Sequence, residues 1–324
     1  MKLSYPVLSS IVSAYGYRLH TIEDVASGYR NTCYMVVTTD DKHLNFILYK
    51  KEPQSQQLVR RVNQVGYHLQ LHGLPVRSPA DDRIIALTTH NSQRFGALYA
   101  TLPGQTIAWE MYTMKHIKLL GHAMALIHGV DVPPLKLPSA QVQYILLIDE
   151  MKRYFTLPGV QAAMREKLSL SLDAVVFDEL KSIIKQVRGK PSLLHMDLVR
   201  GNVLFDTAGD QHVLQIGTTA LSGILDLEKV SSGPVEFDIA RTLAFLYVDC
   251  NKPIEKIIKY FIFSGYVKRG NRVVPQIDMI DHLVGMYLIY DLYKFLRDNP
   301  YESLVDNHHF RRTRDILLRR QMIQ

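Results

Sequence analysis

The chain has 324 residues, 47% of them hydrophobic and 21% charged, which suits a globular protein with room for a full core. Two cysteines, Cys33 and Cys250, exclude a disulfide framework and a cysteine-built metal cluster, so a reducing, cytoplasmic location is the expectation. The net charge of +7 favours anionic partners without choosing among them, and no apolar segment approaches the roughly 20 residues that span a bilayer.

The first residues superficially resemble a signal peptide, but Tyr5, Pro6 and several serines interrupt the apolar run. Leu8, Ile11, Val12 and Tyr15 instead follow helical spacing, which predicts a short amphipathic helix. Period-two patterning follows over 17–26, 32–39 and 45–50, predicting three strands. Ser27-Gly28-Tyr29-Arg30-Asn31 turns between the first two, and Asp40-Asp41-Lys42 between the next two. A glycine-containing turn can set backbone N–H groups against a phosphate, although a plain hairpin turn is the commoner reason for a single glycine. A helix is expected over 54–72, with Leu58, Val62, Val65 and Leu69 on one face, Gly73 ending it and Pro75 preventing its extension. Two more strands are expected at 83–88 and 95–101, turning at Asn91-Ser92. Beyond Leu102-Pro103-Gly104 helices dominate. We therefore expect an α+β, bilobal chain, with a small antiparallel β lobe over 1–101 and a larger, mainly helical lobe over 102–324.

Helices are expected in that second part at 112–129, 160–168 and 172–188, the last with Ser171 as N-cap and Gly189 just past its end. Further helices are expected at 235–249, 253–264, 277–297 and 301–322. Between these groups lies His195-Met196-Asp197-Leu198-Val199-Arg200-Gly201-Asn202, then Val203-Leu204-Phe205, a turn at 207–210, a looser one at 217–219, and the strand 222–225 leading to Asp226-Leu227-Glu228. An arginine-rich stretch, Phe310 to Arg314 with Arg319 and Arg320, reads as a solvated helix face.

Phosphoryl transfer needs little covalent help from a protein. It needs a carboxylate to orient a hydroxyl and accept its proton, oxygen ligands for the metal on the phosphates, and positive charge beside them. Asp197 suits the first role, and Asn202, Asp226 and Glu228 suit the second, because Mg²⁺ prefers hard oxygen ligands. His195 reads as a structural, hydrogen-bonded histidine, and Arg200 as a contact to phosphate, substrate or solvent. The loop, the apolar strand after it and the spacing to Asp226 together form a kinase-type catalytic signature.

On these residues the chain resembles the aminoglycoside phosphotransferase and choline kinase superfamily over nearly its whole length, and within it looks nearest to type II homoserine kinase. The resemblance implies a kinase-like fold that uses ATP and Mg²⁺. It implies a nucleotide loop at Ser27, Gly28 and Asn31, an adenine-binding hinge at Tyr99 and Thr101, and a first C-lobe helix at Leu120 to His128. It implies Asp197 as base with Arg200 in its loop, Asn202, Asp226 and Glu228 as metal ligands, and Asp238 as the support of the catalytic loop. The family's nucleotide lysine lies on the third strand. Lys50 is preferred to Lys51 because it shares a strand face with Leu48 and Phe46. One departure is plain: helix 54–72 contains no Asp or Glu, so the usual ion pair to that lysine has no partner.

The expected function is therefore transfer of the γ-phosphate of ATP to a hydroxyl of a small acceptor, such as a homoserine-like hydroxy-amino acid, an amino alcohol or a sugar. The basic surface favours an anionic acceptor. The alternative is a nucleotide-binding regulatory protein on the same fold that has lost turnover. No nucleic-acid module or membrane segment accompanies the charge, and the oligomeric state is left open.

Overall fold

The computed structural model describes residues 3–27, 31–89, 92–207, 209 and 214–324. An antiparallel sheet is built from β1 (Leu19–Ser27), β2 (Thr32–Thr38), β3 (His43–Leu48), β4 (Ile85–Thr89) and β5 (Ser92–Ala100), in the order β1-β2-β3-β5-β4. Alternation along the strands gives it two apolar faces. Tyr34, Val36, Leu44, Phe46, Leu48 and Leu98 pack beneath α1 (Tyr5–Ala14), on its buried Leu8, Ile11 and Val12. Ile47, Tyr49, Ala97 and Tyr99 point the other way, onto Val59 of α2 (Ser55–Leu71). On the adjoining face of α2, Val62, Val65 and Leu69 join the large core of the helical part. The helix thus lies between sheet and helices.

The helical part contains α3 (Met114–Gly129), α4 (Ala140–Phe155), α5 (Pro158–Leu168), α6 (Val175–Gln186), α7 (Glu236–Asp249), α8 (Ile254–Ile258), α9 (Ile277–Asp298), α10 (Tyr301–Leu304) and α11 (His308–Arg319). Short strands thread it: β6 (Ser192–Leu194), β7 (Val203–Thr207), β8 (Gln215–Ile216), β9 (Thr219–Ile224) and β10 (Ser231–Gly233). β10 pairs with β6, and β7 and β8 both pair with β9. The segment after β5 joins this layer directly. Gln105 exchanges backbone hydrogen bonds with Phe205, and Gly104 at φ +90° leaves only 2.6 Å between an imagined Cβ and the Phe205 carbonyl oxygen. A glycine is required there on both counts.

Several elements differ from the sequence expectation. Helix α4 was not foreseen; its buried stripe, Ala140, Ile148, Met151 and Phe155, is masked by the exposed apolar Val142 and Leu146. Ser171 does not cap α6. It pairs through its backbone with Gln324, and the Asp173 side chain accepts from the Val175 N–H instead. The last helix divides at 305–307, where Asn307 caps α11. The helix begun at α8 continues as a π-helical run, Lys259–Arg269, past its expected end. The turns expected around Asn91 and Asp210 lie outside the described residues. Among the described residues no helix is long and apolar enough to cross a membrane.

Candidate active site

The central loop is built on a buried carboxylate. Asp238, in the first turn of α7, accepts the backbone N–H of His195 at 2.7 Å and of Met196 at 2.8 Å, and faces His128 Nε2 at 3.1 Å. These bonds hold Met196 in the left-handed region, φ 64°, where the chain reverses before Asp197. Burial pushes the Asp238 carboxyl up. The His128 hydrogen bond and charge, with His195 behind them, outweigh this and hold it below the usual carboxylate range. Thr242, one turn further along α7, donates to the Leu198 carbonyl at 3.3 Å.

His195 ties this loop to the strand that carries Asp226. Its Nδ1 accepts the Asp197 N–H at 3.2 Å, so the ring proton sits on Nε2 and is donated to the Leu225 carbonyl at 3.1 Å. Through its two ring nitrogens the imidazole braces the loop against the strand before Asp226.

Asp197 is buried, and both carboxylate oxygens are engaged. Asn202 Nδ2 donates to Oδ2 at 3.2 Å and to the Asp197 carbonyl at 2.9 Å, and Lys229 Nζ stands 2.9 Å from Oδ1. Because Asn202 spends its NH₂ on Asp197, its Oδ1 is left as an acceptor, as a ligand for a hard cation requires. The Asn202 carbonyl accepts the Leu225 N–H, which brings Asp226 alongside, itself at φ 53°. Asp226 Oδ1 accepts the Glu228 N–H at 3.1 Å. Among the described residues no three His, Cys, Asp or Glu side chains form a ready metal cluster. Two acids and an amide fit a metal that draws further oxygens from a bound phosphate, as Mg²⁺ does.

These groups line one cavity of about 660 Å³ between the sheet and the helical part, a size suited to a small ligand. Asn31, Asp197, Asn202, Asp226 and Glu228 line it together. Asn31 donates from Nδ2 to Glu228 and accepts the Lys50 N–H on Oδ1 at 3.0 Å, joining the roof to the floor. Gly28 lies outside the described residues, while Ser27 ends β1 next to the cavity-lining Ala26. Arg200 is exposed and does not line the cavity, although Val199 and Gly201 on either side of it do.

The third strand needs a correction. Leu48 and Phe46, whose face Lys50 was expected to share, point at α1, away from the cavity. β3 ends at Leu48, and Lys50 is exposed and outside the lining. The cavity face carries Ile47 and Tyr49. Tyr99 presents no side chain to the cavity either. It is fully buried, donates to Asn63 Oδ1 of α2 at 2.7 Å and therefore receives the Tyr49 hydroxyl at 2.7 Å. Thr101 accepts from Asn45 Nδ2 at 3.1 Å, outside the cavity lining. Burial raises both tyrosine hydroxyls, so this Tyr49–Tyr99–Asn63 chain stays neutral. It links sheet to helix at the helix that lacks the acid for the family's usual ion pair. The parity of β3 was the available signal: the buried Tyr34 and Phe46 are cross-strand partners, which assigns even-numbered residues to the α1 face.

The profile of the phosphotransferase enzyme family matches residues 21–261, and the chain belongs to that family. No curated protein sequence matches it. Among solved structures it is similar to an amicoumacin kinase in complex with AMP-PNP and Ca²⁺, with TM-score 0.65 and 13% identity over 96% of this chain and 94% of the other. An aminoglycoside phosphotransferase in complex with GDP and kanamycin gives TM-score 0.62 and 15% identity over 98% and 99%. A choline kinase from Cryptosporidium parvum Iowa II gives TM-score 0.57 and 13% identity over 98% and 98%. At these identities the similarity establishes the kinase-like fold.

Proposed function

From this family membership, we propose that the chain transfers the γ-phosphoryl group of ATP to a hydroxyl of a small molecule, with residues 1–101 forming the nucleotide lobe and 102–324 the catalytic lobe. The observation that carries the reading is the convergence of Asp197, Asn202 and Asp226 on one cavity. Asp197 orients the acceptor hydroxyl and takes its proton. The hydroxyl oxygen bonds phosphorus as the bond to the bridging oxygen breaks, and ADP leaves. Asn202 and Asp226, with Glu228 beside them, would hold Mg²⁺, which would supply charge neutralisation on the phosphates. AMP-PNP, GDP and Ca²⁺ in complexes of similar proteins support a nucleotide and a divalent ion here.

Lys229 lines the cavity beside Asp197, and the chain as a whole carries a net charge of +7. This charge favours a hydroxyl compound carrying an anionic group, such as a hydroxy-amino acid, over a polyamine. The position of Lys50 outside the cavity, with no acid on α2, favours a second reading, a nucleotide-binding protein without turnover.

ADP release from Mg-ATP, measured over a panel of hydroxy-amino acids, amino alcohols and sugars, separates the two. We expect turnover on at least one acceptor, reduced by about 10²- to 10⁴-fold in Asp197→Ala. Unchanged turnover in that variant would remove Asp197 from the chemistry. Tight Mg-ATP binding with no turnover on any acceptor would support the second reading.

A further inference from the structure

We infer that Arg77 is the cation that holds the nucleotide phosphates, in place of a lysine on the third strand; the inference rests on the phosphotransfer reading above. The cavity brings three carboxylates, Asp197, Asp226 and Glu228, to the place a triphosphate would occupy. A polyanion entering there needs a fixed positive group in addition to a metal. β3 provides none, since its cavity face carries Ile47 and Tyr49, and the Tyr49 hydroxyl is spent on Tyr99. Lys229 lines the cavity but is paired with Asp197. Arg61 of α2 reaches the Glu228 carbonyl oxygen at 3.4 Å and is not part of the lining.

Arg77 does line the cavity and is half-buried. Among the described residues no hydrogen bond or ion pair engages its guanidinium. Its charge reaches Cys33, Tyr49 and Tyr99 on the roof, opposing the rise that burial causes in each. The backbone beneath it is fixed from two sides. The Arg77 N–H donates to the Ile224 carbonyl at 2.9 Å, and Ile224 N–H donates to Pro75 at 2.7 Å, two residues before Asp226. On the other side, the Arg77 carbonyl oxygen lies 2.7 Å from where a Cβ on Gly66 of α2 would stand. The base of this side chain therefore keeps a fixed position relative to Asp226.

The chemistry explains the missing acid on α2. A lysine is a point charge on a flexible stem and gains its position from a carboxylate partner. An arginine is planar, stays charged, and can grip two phosphate oxygens at once. Set on a clamped backbone, it needs no partner on α2, and Asn63 is free to bind Tyr99 instead.

The test is calorimetric titration of Mg-ATP and of adenosine into the wild type, Arg77→Ala, Arg77→Gln and Lys50→Ala. Arg77→Ala and Arg77→Gln should each weaken Mg-ATP by about 10- to 100-fold. Adenosine binding should stay within about twofold, which also reports that the fold is intact. Lys50→Ala should bind Mg-ATP as the wild type does. Wild-type affinity in both Arg77 variants, or the loss appearing in Lys50→Ala, overturns the inference while leaving phosphotransfer standing. A wild type that binds no nucleotide overturns both.

Discussion

Asp238→Asn is the most informative single change to the scaffold, because one carboxylate sets the path of the loop that carries Asp197. In the native chain Asp238 is completely buried and accepts two backbone N–H groups at 2.7 and 2.8 Å, with His128 at 3.1 Å. Asparagine keeps the shape but offers one oxygen. Its NH₂ must then face an N–H donor or the histidine. One charge-assisted hydrogen bond is lost, worth about 1.5–3 kcal/mol, and a buried donor is left unpaired at about 1–3 kcal/mol. We expect a total of about 3–5 kcal/mol, the range for breaking one side of a buried charged network. That is a large fraction of a typical stability of about 5–15 kcal/mol. Asp197 follows Met196 directly, so a loop displaced by ~1 Å should also cost turnover on the order of 100-fold. Urea unfolding followed by circular dichroism measures the first effect, and ADP release the second. The effect has a pH signature. The folded carboxyl titrates below its ordinary 3.8, so its contribution is full above that value and is lost as pH falls through the lower folded value. The gap between wild type and variant should therefore be constant near neutrality and narrow in acid. A variant within about 0.5 kcal/mol of wild type near neutrality, with normal turnover, would refute the claim that Asp238 holds the loop.

The neutral chain across the sheet and α2 predicts an order of effects. Tyr99→Phe strands both Asn63 Oδ1 and the Tyr49 hydroxyl and should cost about 1–3 kcal/mol, whereas Tyr49→Phe removes only the terminal donor and should cost about 0.5–1.5 kcal/mol. Equal losses in urea unfolding would contradict the direction of the chain. Cys33 lines the cavity, and burial raises its thiol above the ordinary 9.0. Alkylation followed by peptide mass spectrometry should be slow at neutral pH, quicken as pH rises, and be blocked by Mg-ATP. Reaction unaffected by nucleotide would place the ligand elsewhere.

Most of the loop from His195 to Asn202 was legible in the chain because its parts lie close in sequence and have distinct chemistry. Asp197 and Asn202 are five residues apart, and an apolar strand on each side of the β7–β9 hairpin leads to its own functional residue. Strand-forming composition between turn residues was also enough to find the sheet. It did not say which face meets the cavity. That depends on α1 taking one side and α2 the other, a choice made by packing, and it put Tyr49 rather than Lys50 toward the ligand space. Helix α4 was hidden because its exposed face is also apolar, so the usual contrast between faces is weak. Arg77 was invisible for another reason. It sits in an extended segment with no motif, and only the pairing of that segment with Ile224 brings it into the cavity that Asp226 lines. Local chemistry is written in short stretches of sequence. The partner across the cleft is set by long-range pairing, and only the folded chain reveals it.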